Sequence, residues 1–259
     1  MLQTVLADRL EYHEESSNAQ AAKNIGGEFV ELGDVMLIYA RPEFGTGLNF
    51  ACRIRSDDAR IENLVDDVCA WFDQRGGTPH FRVSPLTRPP NLAQILERRG
   101  FICTEHETQM VLENDDTEPP TSPRVTIEIV QAYDLERWVS IQHRGFDGTD
   151  EPTATMIEMA RKSFESGRNK LYLARLDGEP VGAGTLVYWA NVYGIYGVAT
   201  AEPARGKGVA TAMVRQMIRD VRAYGEPICL QAQTNGAEQH WYARMGFRVV
   251  YDRTGWTKK

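Results

Sequence analysis

The sequence predicts an α/β protein made of two similar halves in tandem, and three observations carry that reading. Helical and strand-like patterns alternate along all 259 residues. An acidic, proline-rich stretch, "ENDDTEPPTSPR", interrupts them near the middle with no apolar residue in it. Landmarks also recur at a near-constant offset: Gly77-Thr78-Pro79 stands 148 positions before Gly225-Glu226-Pro227, and Gly100-Phe101 stands 146 before Gly246-Phe247. The division predicted is a first domain over 1–112, a linker over 113–123 and a second domain over 124–259.

Each element has a local reason. In the first half, "LNFACRI" reads as a strand and "ARIENLVDDVCAWFDQRGG" as an amphipathic helix. "TPHFRVSP" follows as a strand, "PNLAQILERRG" as a helix and "FICTEHETQMVL" as a strand. The second half opens with the short strand "VTIEIV" and helical stretches over 135–146 and 153–166. A strand meander covers 169–200, with Asp177-Gly178 as a two-residue hairpin turn. The next helix carries Ala210, Met213, Val214, Met217, Ile218 and Val221 at the spacing of one buried face. "EPICLQAQ" is then a strand, "NGAEQHWYARMG" a short helix closed by Gly246, and "FRVVYDRTGW" a last strand.

Composition narrows the function. With 42% apolar and 25% charged residues the chain resembles a globular protein, and it contains no apolar run of membrane-spanning length. A net charge of −7 argues against nucleic-acid binding, which needs a basic face. "MLQTVLADRLEYHEE" lacks the basic-then-apolar pattern of a signal peptide, which predicts a cytoplasmic protein. Cys52, Cys69, Cys103 and Cys229 are scattered without CxxC spacing and read as small core residues. The five histidines are dispersed as well, so no metal site is expected.

The chemistry concentrates in "AEPARGKGVATAMV", residues 201–214, where a strand turns into a helix through two glycines and two cations. Exposed amides at the positive end of a helix dipole suit an anion. Two familiar phosphate loops do not fit: a Walker loop needs Ser or Thr after Gly-Lys, where Gly208 stands, and a GxGxxG fingerprint needs glycine where Thr211 stands.

Arg205, Gly206, Lys207, Gly208, Val209 and Ala210 instead match Q/R-x-x-G-x-G/A, and "LQAQTNGAEQHWYARMGF" adds Asn235, Tyr242 and Gly246-Phe247 in order. In these features residues 124–259 resemble the GNAT superfamily of acyl-CoA-dependent N-acetyltransferases. The resemblance implies two GNAT-like mixed-sheet domains in tandem, with helices on both faces and a degenerate first copy. It also implies that amides from Arg205 to Ala210 hold the pyrophosphate of acetyl-CoA, with charge added by Arg205 and Lys207. Backbone groups of Val198, Ala199 and Thr200 would pair with the pantetheine arm, and the Asn235 side chain would reach that arm or cap the following helix. Tyr242 would be the general acid for the departing thiolate, or else a packing residue. The implied acceptor is a small-molecule amine or peptide amine, with no nucleic acid, membrane or metal involved, in a monomer or homodimer.

The base stays open. The strand before the loop has no acid, leaving Tyr196, Glu179, Asp147, Glu151 and His143 as candidates. Acids of the 142–156 stretch (Asp147, Asp150, Glu151) beside Tyr188, Trp189 and Tyr193 would suit a cationic amine. Two other readings remain: a non-catalytic CoA-binding or sensing module, and a tandem aminoacyl transferase using charged tRNA. The first half should bind no CoA, because "RSDDA" offers two aspartates and no glycine, and Leu96 stands where the offset of 146 places Tyr242.

Overall fold

The computed structural model describes residues 2–114, 122–146, 148 and 151–258. The chain runs α1 (Leu2–Asn24), β1 (Glu28–Glu31), β2 (Met36–Tyr39), β3 (Asn49–Cys52), α2 (Ile61–Asp73), β4 (His80–Val83), α3 (Leu92–Arg98) and β5 (Phe101–Leu112). There follow β6 (Val125–Ile129), α4 (Leu135–Gly145), α5 (Ala154–Glu165), β7 (Asn169–Leu176), β8 (Glu179–Trp189) and β9 (Val192–Thr200). The last elements are α6 (Val209–Val221), β10 (Ile228–Gln233), α7 (Ala237–Arg244) and β11 (Phe247–Lys258). Every element read from periodicity is present, whereas α1 had no sequence signal. Most of the expected linker, residues 115–121, lies outside the described residues.

Two compact units emerge. The first comprises Met1–Met110, Gln231–Ala243 and Arg248–Lys259, and the second Val111–Leu230 with Arg244–Phe247. The end of the chain thus belongs to the unit built on its beginning.

In the first unit the strand order is β1-β2-β3-β4-β11-β5. Hairpin-like antiparallel pairing joins β1 to β2 and β2 to β3, and β3 runs parallel to β4. The chain-terminal strand is antiparallel to β4, with Thr257 opposite His80 and Thr254 opposite Val83. One face is apolar: Leu64, Val65, Val68 and Phe72 of α2 and Ile95 and Leu96 of α3 meet Leu37, Ala51, Phe81 and Phe101. The other face is ionic. Glu11, Glu14 and Glu15 of α1 are buried there, and Arg253 of β11 donates to Glu14, Glu15 and Glu107. Arg82 pairs with Glu15 at 3.0 Å and lies over the Phe50 ring.

The second unit holds β6-β7-β8-β9-β10 in that order, antiparallel except for β9 and β10. Asp177 and Gly178 take φ of 53° and 89°, as a type I′ hairpin requires. A second such turn, Ala190-Asn191 (φ 49° and 56°), joins β8 to β9 without the usual glycine. Trp138, Val139 and Ile141 of α4 cover one face of this sheet with Leu171, Leu173 and Ala183. On the opposite face α6 approaches so closely that a Cβ on Gly182 or Gly184 would lie 2.8 Å from Val209 or Met217. Both units are therefore layered with helices on two faces. Ala210, expected on the buried face of α6, is only half-buried, while Arg215 is buried. All four cysteines are free thiols, two buried and two half-buried.

Candidate functional site

The second unit builds the loop. Among the described residues β10 pairs with β9 at Ile228–Tyr193 and Cys229–Gly194. The last stretch of β9, Gly197 to Thr200, has no β10 partner in that register, so its backbone donors and acceptors on that edge are available for another extended chain. Register against β8 also slips there, because Thr185 faces Tyr196 while Ala183 faces Ala199. Gly197 and Val198 therefore oppose a single residue, and Gly197 takes φ of 59°, the conformation of a glycine bulge. Val198 and Thr200 are half-buried and Ala199 is buried. The Thr200 hydroxyl is buried with no hydrogen-bond partner among the described residues.

After β9, Pro203 sets a short turn, and the chain enters α6 through Gly206 (φ 74°) and Gly208 (φ 82°). Both are left-handed positions that a side chain would strain. A Cβ on Gly206 would meet nothing within 4 Å, and one on Gly208 only Ser122 at 3.9 Å. The first ladder bond of α6 runs from the Ala212 N–H to the Gly208 carbonyl at 3.0 Å. The amides of Val209, Ala210 and Thr211 therefore stand outside the ladder. Glycine where bulk would intrude, open space and free helical amides fit a pyrophosphate. Lys207 is exposed; the Arg124 hydrogen bond and charge, with a smaller share from Lys207, hold the Asp177 carboxyl below its usual range. Arg205 is placed differently from the expectation. Its Nε donates to the Thr200 carbonyl (3.2 Å) and an Nη to the Gly145 carbonyl (3.4 Å), so its guanidinium braces the loop's base.

Asn235 and Tyr242 belong to the first unit. Asn235 has φ of 59°, which asparagine tolerates better than most residues, and its N–H donates to Gln239 Oε1. No side-chain cap by Asn235 is seen on α7 among the described residues. Tyr242 on α7 is 8% exposed beside the Trp241 ring. Burial, reinforced by Glu238, pushes its phenol well above the ordinary value of 10. It keeps its proton and is a donor, not a base.

The other expected groups scatter. Asp147 and Asp150 lie outside the described residues. Glu151 is paired with Arg144 at 2.5 Å, and Glu179 is exposed at the start of β8. His143 is half-buried on α4, where its carbonyl accepts the Gly148 N–H. Among the described residues, Gly145 and the aromatics stand at opposite ends of β9. Gly145 of α4 lies against Ala199 near the end of β9, whereas Tyr188 stacks on Tyr193, and Tyr193 on Tyr224, at its start. Six residues of strand separate them, roughly 20 Å at 3.3 Å per residue. Trp189 already carries the Arg168 guanidinium over its ring at 4.7 Å. In the first unit Asp57 accepts the Arg60 N–H beside the start of α2, and Leu96 is fully buried.

One participant was invisible in the sequence: Gln142 of α4 donates to the Gly197 carbonyl at 2.9 Å. Glycine inside the apolar strand "VYGIYGVAT" is the signal that could have located the bulge. Nothing local marks its partner.

The end of β9 running into glycine-rich amides at a helix N-terminus is a geometry that suits an extended, anion-bearing ligand. Residues 132–247 match the acetyltransferase (GNAT) family model. Over nearly the whole chain the fold is that of a GCN5-related N-acetyltransferase from Kribbella flavida, with a TM-score of 0.71, 16% identity and 94% of each chain covered. A GCN5-related N-acetyltransferase from Sphaerobacter thermophilus gives 0.69 at 16% identity, covering 88% of this chain and 82% of that one. A tandem GNAT protein from the clavulanic acid biosynthesis pathway gives 0.61 at 13% identity, covering 86% and 77%. No curated protein matches the sequence. Among the described residues no helix is long and apolar enough to cross a membrane, and no group of His, Cys, Asp and Glu could hold a metal.

Proposed function

We propose that the protein is an N-acetyltransferase that moves the acetyl group of acetyl-CoA to a primary amine of a small molecule or peptide. The observation that carries this is the end of β9, Gly197 to Thr200, which β10 does not pair among the described residues and which leads into the left-handed glycines before α6. Amides from Gly206 to Ala210 hold the pyrophosphate, with Lys207 adding charge. The backbone of Val198, Ala199 and Thr200 pairs with the pantetheine arm, and Asn235 contributes its exposed amide to that arm.

The neutral amine attacks the thioester carbonyl, the C–N bond forms, and the C–S bond breaks as the tetrahedral intermediate collapses. A thiolate with a pKa near 8.5 then departs, and Tyr242, protonated at any working pH, gives it a proton. The proton lost by the attacking nitrogen balances the one Tyr242 supplies. The first half is a degenerate copy: its would-be anion seat is taken by Asp57, and Leu96 is a core residue.

Thiol release by the purified protein, with acetyl-CoA offered across an amine library, tests the activity. Tyr242→Phe lowers turnover about 10²-fold, as loss of a general acid does, with little change in acetyl-CoA affinity. Wild-type turnover in that variant reduces Tyr242 to packing. Acetyl-CoA binding without turnover on any amine overturns the enzymatic reading.

A further inference from the structure

Glycine bulges turn a carbonyl out of the strand ladder, and that carbonyl needs a donor wherever water is excluded. On β9 the bulge falls at Gly197, inside the part of the strand that β10 no longer pairs. The donor is the side-chain amide of Gln142, with Nε2 2.9 Å from the Gly197 oxygen. The fit is close: a Cβ on Gly197 would stand 2.2 Å from that nitrogen. The same helix, α4, grips the strand again three residues later, where a Cβ on Gly145 would lie 2.5 Å from that of Ala199. Arg205 closes the clasp by donating to the carbonyls of Gly145 and Thr200.

Residues 197, 199 and 200 are thus each held from α4 or from the loop, beside the pairing of Ala199 and Thr200 with β8. A bulge shifts the alternation of everything after it by one residue. Which backbone groups of Val198 to Thr200 face the open edge depends on its staying in place. We propose that Gln142 is a positioning residue that locks this bulge and so presents the β9 edge to the pantetheine arm of acyl-CoA. The proposal rests on the acetyltransferase reading above. It assigns Gln142 to one part of the ligand, the arm, and not to the nucleotide.

The test uses that selectivity in the full-length chain. Calorimetry compares CoA with 3′-phosphoadenosine 5′-diphosphate, which keeps the nucleotide and pyrophosphate of CoA but has no pantetheine. Gln142→Met removes the donor at similar size and weakens CoA binding about tenfold, the effect of one lost hydrogen bond. Affinity for the nucleotide stays at its wild-type value. Gln142→Glu, whose ionised carboxylate cannot donate, gives the same selective loss and serves should the methionine variant fail to fold. Unchanged CoA affinity in the folded variants overturns the proposal, as does an equal loss for both ligands, which marks a general structural role. Wild-type protein that binds CoA no more tightly than the nucleotide overturns it too, while leaving the pyrophosphate seat intact. Failure of the wild type to bind either ligand overturns the acetyltransferase reading itself.

Discussion

Replacing Arg253 by methionine should cost the first unit a large part of its stability. The guanidinium is 6% exposed and donates to Glu14 at 2.5 Å, to Glu15 at 3.1 Å and to Glu107 at 2.5 Å, joining α1, β5 and β11 through one side chain. Without it, Glu14 and Glu15 keep Arg82, at 3.8 and 3.0 Å, and Glu15 also the Asn18 amide at 3.3 Å. Removing one partner of a buried ion pair costs about 3–5 kcal/mol, because the remaining charge stays desolvated. Two features moderate the loss. Burial, only partly offset by Arg253, already pushes the Glu14 carboxyl up to about 7, so Glu14 can take up a proton where a stronger acid could not. Glu107 is half-exposed and can turn to water. We therefore expect a loss of ~3 kcal/mol at pH 8 and a visibly smaller one at pH 6. Against a typical domain stability of about 5–15 kcal/mol that is a large shift in urea midpoint. Urea unfolding followed by tryptophan fluorescence at both pH values measures it, since Trp71 and Trp256 both pack on this unit's core. Glu14→Gln in the same background should recover part of the loss at pH 8. A variant within about 1 kcal/mol of wild type at pH 8 would refute the reasoning, because the three carboxylates would then have found solvent on their own.

Other outcomes follow from the same geometry. Gly208→Glu places a β-carbon on a left-handed residue and a carboxylate over the free amides of α6, so acetyl-CoA binding by calorimetry should be lost while circular dichroism stays that of the wild type. Stability should vary with pH in two opposed windows. Glu14 holds its proton up to about 7 when folded and 4.5 ordinarily, so the fold gains stability as pH falls through that interval. Burial raises Glu105, but His80, Thr46 and Arg82 together draw it down to about 2, so its contribution is present above 4.5 and lost as pH falls toward 2. A thermal-melt profile with its optimum near pH 5 is expected, and a monotonic rise from pH 5 to 8 contradicts it. A fragment of residues 121–259 should not fold cooperatively, since residues 248–258 would lack the flanking strands β4 and β5 and Arg253 would lack its carboxylates. A sharp two-state urea transition for that fragment contradicts this.

The loop was the most legible part of the candidate site. Gly206 and Gly208 take the left-handed conformation, because two glycines entering an amphipathic helix are a local statement about backbone conformation. The acceptor side has no comparable local signal. Tyr188, Trp189 and Tyr193 are near the 142–156 stretch in no local sense, and the strand carries them to the opposite end from Gly145.

Helices α2, α3 and α6 and strands β3 to β11 follow from periodicity and punctuation, which act over a few residues and survive in any surroundings. Helix α1 does not, because its buried side includes Glu11, His13, Glu14 and Glu15, which a pattern reader assigns to solvent. The three glutamates are interior because Arg53 and Arg55, just past β3, Arg82 of β4 and Arg253 of β11 arrive from distant parts of the chain to neutralise them. Likewise "FRVVYDRTGW" announces a strand but not its neighbours. Its place between β4 and β5, more than 140 residues away in sequence, is fixed by pairings such as Thr257 with His80 and by Arg253 with Glu107. A strand's existence is a property of its own side chains. Its partners, and whether a carboxylate is surface or core, depend on charges and hydrogen-bonding edges that meet only when the chain has closed on itself.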